Sequence, residues 1–229
     1  MSQSRIDTLI FDVDGTLYRS GPVRTGILLQ MMREALAHPR EMLETFRALR
    51  AYRSALENLR ESQCACPVAE QIRAACRNTS LPEATLTASV ARWMEEAPLG
   101  LLGPARRAGL LDLLKLAKDR RMRIGAWSDY PAVRKLEAMG VLGYFDAVVS
   151  AQEAEVQRFK PDPKGLEVLL ARLGAAKEGV LYLGDRPEVD GVAASRAGVR
   201  CLIVGRSGRH PWPCVSDLRE VCRQLANPG

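Results

Sequence analysis

Short apolar runs separated by stretches with helical periodicity constrain the fold of this 229-residue chain more than any other feature. Five such runs occur, at residues 6–12, 123–127, 147–150, 179–183 and 201–205. Their apolar residues are nearly continuous, which is typical of strands that are buried on both faces of a parallel sheet. Alternation of such strands with helices predicts an α/β fold, a doubly wound parallel sheet. Ligands of these sheets bind beyond the carboxyl ends of the strands.

Residues 22–94 have a different character, because they show helical periodicity and no strand pattern. Apolar residues recur at the spacing of one helix face in four successive stretches. A linker rich in glycine and proline follows at 98–104. We therefore expect an α/β core built from residues 1–17 and 104–229, with an inserted all-helical unit and its hinges at 18–103.

The composition narrows the class of protein further. Hydrophobic residues make up 47% of the chain, which is ample for a sizeable core. No apolar run reaches the 18 or so residues that a membrane-spanning helix needs, and the N-terminus lacks the apolar stretch of a secretory signal. The six cysteines include no Cys-x-x-Cys pair. Reduced thiols and a cytoplasmic location are therefore expected.

The net charge of +6 raises the question of anionic partners. The basic residues are mostly arginines interleaved with glutamates, which is the pattern of a solvated helical surface. This arrangement favours attraction for anionic small molecules over a nucleic-acid surface. We expect no nucleic-acid partner and no membrane association, and a monomer or weak homodimer.

Reactive polar side chains follow the predicted strands. The first strand ends at Asp12, and Asp14 and Gly15 come next, where glycine allows a sharp turn that brings both carboxylates to one site. Polar residues that follow other strands, or lie in a proline-rich loop before a helix, are Ser128, Asp129, Lys160, Asp185 and Asp190. We expect all of them at one edge of the sheet. Carboxylates this close repel each other unless a cation or a shared proton compensates. Mg²⁺, which prefers carboxylates together with phosphate oxygens, fits that need.

This ordered set of motifs resembles that of the haloacid dehalogenase-like hydrolases, a superfamily dominated by Mg²⁺-dependent phosphatases. The matching residues are Asp12–Leu17 for the first motif, Ser128 for the second, Lys160-Pro161 for the third, and Gly184-Asp185 with Asp190 for the fourth. The resemblance implies a Rossmann-like core with a helical cap inserted between the first and second motifs. It also implies hydrolysis of a small phosphorylated metabolite.

The resemblance assigns a role to each motif residue. Asp12 is the expected nucleophile, which forms an aspartyl-phosphate, and Asp14 the general acid and base. Mg²⁺ is expected on Asp12, the backbone carbonyl of Asp14, Asp185 and Asp190. The residues expected to bind the substrate phosphate are Ser128, Asp129 and Lys160, with backbone N–H groups contributing after Ser128.

Several alternatives within and beyond the superfamily remain. Dehalogenases lack the second aspartate of the first motif, so Asp14 favours phosphoryl chemistry. Phosphonate-cleaving members need a lysine in the cap, and none occurs between Leu17 and Pro104. A phosphotransferase, a sugar-phosphate mutase and a catalytically idle binding or regulatory protein remain as alternatives.

Four further residues have open roles. Asp129 is an acid beside the expected phosphate, and it either orients a residue of the cap, points away, or caps the following helix. Arg186 replaces a small hydroxyl residue that is common in the family, and it either pairs with Asp190, reaches the substrate, or forms a surface ion pair. Arg19 and Arg24 lie in the expected hinge, and we predict that one of them meets the far end of the substrate.

Overall fold

A computed structural model describes residues 5–60, 62, 67–205 and 208–226 of the chain. Six parallel strands form one sheet in the order β3-β2-β1-β4-β5-β6. The strands are β1 Thr8–Phe11, β2 Arg123–Ser128, β3 Ala147–Ser150, β4 Val180–Gly184, β5 Arg200–Val204 and β6 Cys214–Val215. The doubly wound parallel sheet predicted from the sequence is thereby confirmed. The two-residue β6 was not predicted, because it is too short to produce a periodic pattern.

Ten α-helices connect and cover these strands in the described part of the chain. They are α1 Ser20–Ala37, α2 Pro39–Leu59, α3 Pro67–Thr79, α4 Glu83–Val90, α5 Leu99–Ala105, α6 Leu110–Asp119, α7 Val133–Ala138, α8 Lys164–Leu173, α9 Val192–Ala197 and α10 Leu218–Ala226. Shorter turns are π-helical at Ala91–Glu96 and Pro187–Gly191, and 3₁₀-helical at Leu142–Tyr144 and Lys177–Gly179. None of these helices is both long enough and apolar enough to cross a membrane.

Successive side chains of β1 enter two different cores, as alternation along a strand requires. Leu9 and Phe11 join the core that α6 and α10 cover, and Ile10 joins the core that α8 and α9 cover. All three side chains have no exposed surface. The sheet is thus buried on both faces, and the carboxyl-terminal edge of its central strands is the place where polar residues can meet a ligand.

Helices α1–α4 and the π-helical turn Ala91–Glu96, which we call the helical unit, lie between β1 and β2 in the chain. The unit has a hydrophobic core of its own, which includes Tyr52, Leu86 and Trp93. The chain enters and leaves the unit side by side, where Tyr18 and Arg106 form an antiparallel bridge. The domain boundaries drawn from the sequence remain a prediction.

The linker predicted at 98–104 is wrong, because helix α5 occupies Leu99–Ala105. Glycine and proline make this segment a poor helix by intrinsic propensity. Leu102 and Ala105 are nevertheless buried in the core beneath the sheet. Burial of these side chains stabilises the helical conformation and outweighs the local preference, as tertiary context commonly does.

The contact between α8 and β2 gives a test of core packing. A methyl group added at Gly165 would lie 2.1 Å from Nε1 of Trp127, a side chain with no exposed surface. We expect Gly165→Ala to destabilise the protein by about 1–3 kcal/mol through overpacking, measured by urea unfolding. Gly100→Ala is the control, since among the described residues no atom beyond the neighbouring backbone of its own helix lies within 4 Å of its added methyl group. Equal stability of the two variants would contradict this packing.

Candidate active site

Three carboxylates meet beyond the central strands. Asp12 follows β1, Asp185 follows β4, and Asp190 belongs to the π-helical turn after β4. One oxygen of each carboxylate lies within 4.8 Å of the others. Gly15 makes this approach possible, because its φ is +102° and an added Cβ would lie 2.1 Å from Oδ2 of Asp185. The sharp turn predicted after the first strand therefore needs glycine for both its backbone angle and its lack of a side chain.

The ammonium group of Lys160 is at the centre of this cluster. Its Nζ donates to Oδ1 of Asp12 at 2.6 Å, to Oδ1 of Asp190 at 2.9 Å and to the hydroxyl of Tyr182 at 2.8 Å. Tyr182 in turn donates to Oδ1 of Asp190. Lys160 is only 1% exposed. Burial alone would lower the pKa of Lys160, but Asp12 and Asp190 outweigh it and raise that pKa, so the ammonium stays charged.

Lys160 compensates only part of the negative charge of these carboxylates. Burial raises the pKa of Asp12 well above its usual value even though Lys160 opposes the shift. Burial and the nearby Asp190 raise the pKa of Asp185 to about 6. Oδ2 of Asp12 is buried and has no hydrogen-bond partner among the described residues. An orphaned carboxylate oxygen inside an all-oxygen acidic cluster fits a hard divalent cation such as Mg²⁺.

Asp14 lies beside this cluster and is held by a different set of donors. Its Oδ1 accepts from the hydroxyl of Tyr18 at 2.5 Å, and both oxygens accept from Nζ of Lys135, at 2.6 and 2.7 Å. The hydroxyl of Ser128 donates weakly to Oδ2 at 3.4 Å. Burial alone would raise the pKa of Asp14, but Lys135 and Tyr18 lower it below its usual value. Asp14 is therefore a carboxylate in this arrangement.

Lys135 and Tyr18 are site residues that sequence reasoning missed. Lys135 is on α7, the helix after the second motif, and is 7% exposed. One signal was available, because the chain has only six lysines and this one is next to the apolar Leu136 in a helix that follows a motif strand. No pattern pointed to Tyr18, because its role depends on where the chain turns after Gly15.

At the end of β2, Ser128 faces the site, and the next residue, Asp129, contacts the helical unit. The hydroxyl of Ser128 is buried and accepts a hydrogen bond from the backbone N–H of Tyr130. Asp129 directs one oxygen to the backbone N–H of Lys160 and the other to the guanidinium of Arg60. Of the roles left open for Asp129, its contacts match the one in which it orients a residue of the helical unit.

The three remaining candidate arginines lie in different places. The guanidinium of Arg186 pairs with Glu57 and Glu188, each at 3.0 Å, while its backbone N–H donates to Asp190. Arg24 lines the cavity above the carboxylates. Arg19 is outside the lining of that cavity, at the crossing into the helical unit, where its N–H donates to the carbonyl of Ala105.

The cavity over the carboxylates has a volume of about 390 Å³. Its floor contains Asp12, Asp14, Ser128 and Lys160. The helical unit contributes an apolar wall formed by Val23, Ile27, Leu56, Val90, Trp93 and Met94. The size is typical of a site for a small molecule.

A doubly wound sheet with an acidic cluster and a buried lysine at its carboxyl-terminal edge defines a hydrolase-like active site. The family model of haloacid dehalogenase-like hydrolases matches residues 6–198. The chain belongs to this family and is a hydrolase.

Curated relatives of this chain are phosphatases. The phosphoglycolate phosphatase of Rhodospirillum rubrum is 27% identical over 86% of this chain and 78% of its own length. The glyceraldehyde 3-phosphate phosphatase of Methanopyrus kandleri is 27% identical over 88% of this chain and 84% of its own length. The phosphoserine phosphatase of Thermus thermophilus is 36% identical, but the match covers only 38% of this chain and 36% of that enzyme.

Solved structures share the fold over almost the whole chain. Magnesium-bound YfnB of Bacillus subtilis superposes with a TM-score of 0.71 at 16% identity, covering 98% of this chain and 100% of YfnB. A phosphatase of the family from Thermococcus onnurineus gives a TM-score of 0.64 at 20% identity, covering 96% of this chain and 98% of that protein.

The contact between Lys135 and Asp14 can be tested directly. Lys135→Met removes the ammonium while keeping an apolar stem, so Asp14 loses two hydrogen bonds and its fixed position. We expect kcat for any hydrolysed ester to fall by about 10²-fold, as misplacement of a reacting group commonly costs. Lys115→Met, on an exposed position of α6, is the matched control. Equal kcat values for the two variants would remove Lys135 from the site.

Proposed function

We propose that the protein is a Mg²⁺-dependent phosphomonoesterase that acts on a small phosphorylated metabolite through an aspartyl-phosphate. The observation that carries this proposal is how the two carboxylate oxygens of Asp12 are bonded. One of its oxygens is held by Lys160, and the other is buried without a partner among the described residues. Asp14 lies in the same cavity. This combination provides a nucleophile, a charge partner and a proton carrier within one small space.

The chemistry follows from these positions. An oxygen of Asp12 attacks phosphorus, the bond from phosphorus to the ester oxygen breaks, and Asp14 in its acid form gives that oxygen a proton. Water then attacks the aspartyl-phosphate, Asp14 takes a proton from it, and phosphate leaves with Asp12 regenerated. The ion pair with Lys135 favours the base form of Asp14, which is the form needed in the second step.

Asp12, Asp185 and Asp190, with the backbone carbonyl of Asp14, are the groups that would hold Mg²⁺. When bound, the ion supplies positive charge that offsets repulsion between the nucleophile and the phosphate. Lys160 supplies a further charge, and Ser128 with the backbone N–H groups after it would hold phosphate oxygens.

The helical unit serves as a cap over the site in this proposal. Its apolar wall and the polar floor of the core enclose the same cavity. YfnB, which shares the fold, is described as showing interdomain movement. Opening of the unit would admit substrate, and closure would exclude water from the aspartyl-phosphate. A cytoplasmic location and a monomer or weak homodimer remain predictions from the sequence.

Replacement of the nucleophile tests the covalent mechanism. We expect Asp12→Asn to lower kcat on a panel of phosphate esters by about 10³-fold or more, because the amide of asparagine cannot attack phosphorus to form an acyl phosphate. EDTA should abolish activity of the unmodified enzyme, and added Mg²⁺ should restore it. Asp112→Asn, at an exposed position of α6, is the control for the mutation itself.

Three results of this panel would contradict the proposal. Activity that survives Asp12→Asn would exclude the aspartyl-phosphate. Transfer of phosphate to a second sugar hydroxyl, without release of inorganic phosphate, would indicate a mutase or phosphotransferase. No turnover of any ester would favour a binding or regulatory protein.

We assign the far end of the substrate to Arg19 or Arg24. Arg24, which lies in α1 and not in a hinge, is the stronger candidate because it lines the cavity. We expect Arg24→Ala to raise KM about two- to fivefold for esters with a second anionic group, which is the scale of an exposed ion pair. Esters without that group should be unaffected. The idea is wrong if Arg19→Ala and Arg24→Ala both leave kcat/KM unchanged for the best substrate.

A further inference from the structure

The backbone of Lys160 is held from both sides by two charged residues outside the acidic cluster. Its N–H donates to Oδ1 of Asp129 at 2.9 Å. Its carbonyl oxygen accepts from Nη1 of Arg60 at 2.7 Å. The same Nη1 donates to Oδ2 of Asp129, also at 2.7 Å. Arg60, Asp129 and the peptide groups of Lys160 therefore form one closed set of hydrogen bonds, which we call the lysine clamp.

The two sides of the clamp come from different parts of the molecule. Asp129 follows β2 in the sheet, whereas Arg60 is the residue directly after α2 in the helical unit. The side chain of Arg60 is 8% exposed and that of Asp129 is 12% exposed. Charges buried to this extent are costly unless their hydrogen-bonding groups are satisfied. The clamp satisfies them with one another and with the Lys160 peptide groups, and Glu57 of α2 accepts from Nε of Arg60 at 2.7 Å.

Neighbouring contacts seat the end of α2 at the same place. Leu56 packs with Phe159 and Ala151 of the core. The ring of Tyr130 stacks on Tyr52 of α2, with ring centroids 6.1 Å apart. The hydroxyl of Tyr130 also accepts from the side-chain amide of Gln71 at 3.2 Å. Arg60 thus meets Asp129 only while the helical unit lies against this part of the core.

We propose that Arg60 and Asp129 are positioning residues that couple the seating of the helical unit to the aim of Lys160 at Asp12. The proposal rests on the phosphatase function proposed above. With the unit seated, both backbone polar groups of Lys160 are fixed, and its ammonium is directed to the nucleophile. When the unit moves away, Arg60 leaves with it, and the Lys160 carbonyl and one oxygen of Asp129 lose their shared donor. The full charge environment of Asp12 is then assembled only in the closed enzyme.

A positioning role has a particular kinetic signature. Arg60 and Asp129 both line the cavity, but the polar atoms of the clamp bond to each other and to the Lys160 backbone. Loss of the clamp should therefore lower kcat more than it changes KM. Arg60→Met removes both hydrogen bonds that Nη1 donates, while Asp129→Asn keeps an acceptor for the Lys160 N–H and weakens only the link to Arg60. We expect kcat to fall by about 10- to 100-fold in each variant. The double variant should be little worse than Arg60→Met alone, because both changes break one shared set of bonds.

The experiment combines steady-state kinetics with hydrogen exchange of the Lys160 amide by NMR, on Arg60→Met, Asp129→Asn and their double variant. Arg60→Lys keeps a positive charge at the clamp, so its kcat and its protection of the Lys160 amide should be higher than those of Arg60→Met. Such a partial recovery would show that the effect of Arg60→Met is not caused by misfolding. Arg77→Met is the matched control, since Arg77 is an exposed arginine of the helical unit that pairs with Glu70 away from the core. It should leave kcat and exchange unchanged.

The outcomes separate this inference from the proposed function. Faster exchange of the Lys160 amide in Arg60→Met, together with a selective fall in kcat, supports the clamp. Unchanged exchange and unchanged kcat overturn it. A rise in KM alone also overturns it, because Arg60 would then act by binding substrate. If the unmodified protein hydrolyses no ester, the proposed function fails on that result, and the coupling of the clamp to catalysis fails with it.

Discussion

The buried ammonium of Lys160 is the interaction on which the arrangement of the site depends. Three carboxylates, those of Asp12, Asp185 and Asp190, approach one another closely in a largely buried site. Like charges repel strongly in such a site. Lys160 contacts two of them directly and stays charged because of them. This compensation is partial, since burial keeps the pKa values of Asp12 and Asp185 raised. The remaining negative charge fits the Mg²⁺ proposed for this cluster.

The sheet topology supplies the place where these charges meet. β1 lies between β2 and β4, so the residues that follow these three strands share one edge. Each strand is buried on both faces, which gives the site a rigid floor. The helical unit adds the opposite wall and, through Arg60, reaches into the backbone that carries the lysine. The residues of the acidic cluster on the sheet are thereby joined to the helical unit, which moves as a cap in the function proposed above.

Much of the fold followed from pattern alone. Continuous apolar runs predicted the five longer strands, and helical periodicity predicted the four α-helices of the helical unit. The errors arise where tertiary packing overrides local composition. Glycine and proline in α5 predict a linker, whereas burial of Leu102 and Ala105 decides its structure. Contacts such as Lys135 with Asp14, or Arg60 with Asp129, join residues 121 and 69 positions apart, and no sequence period connects them.

The sequence by itself determined the class of fold, the order of the motifs and the kinds of side chain at the strand ends. It did so because the pattern of apolar residues and the positions of turn-forming glycines are local properties that residue type controls. Tertiary structure alone decided which donor each carboxylate meets. In the folded chain Asp14 pairs with Lys135 and Asp129 pairs with Arg60 of the helical unit. One oxygen of Asp12 has no hydrogen-bond partner among the described residues. Such pairings depend on where separate elements pack, and this is settled only when the whole chain has folded.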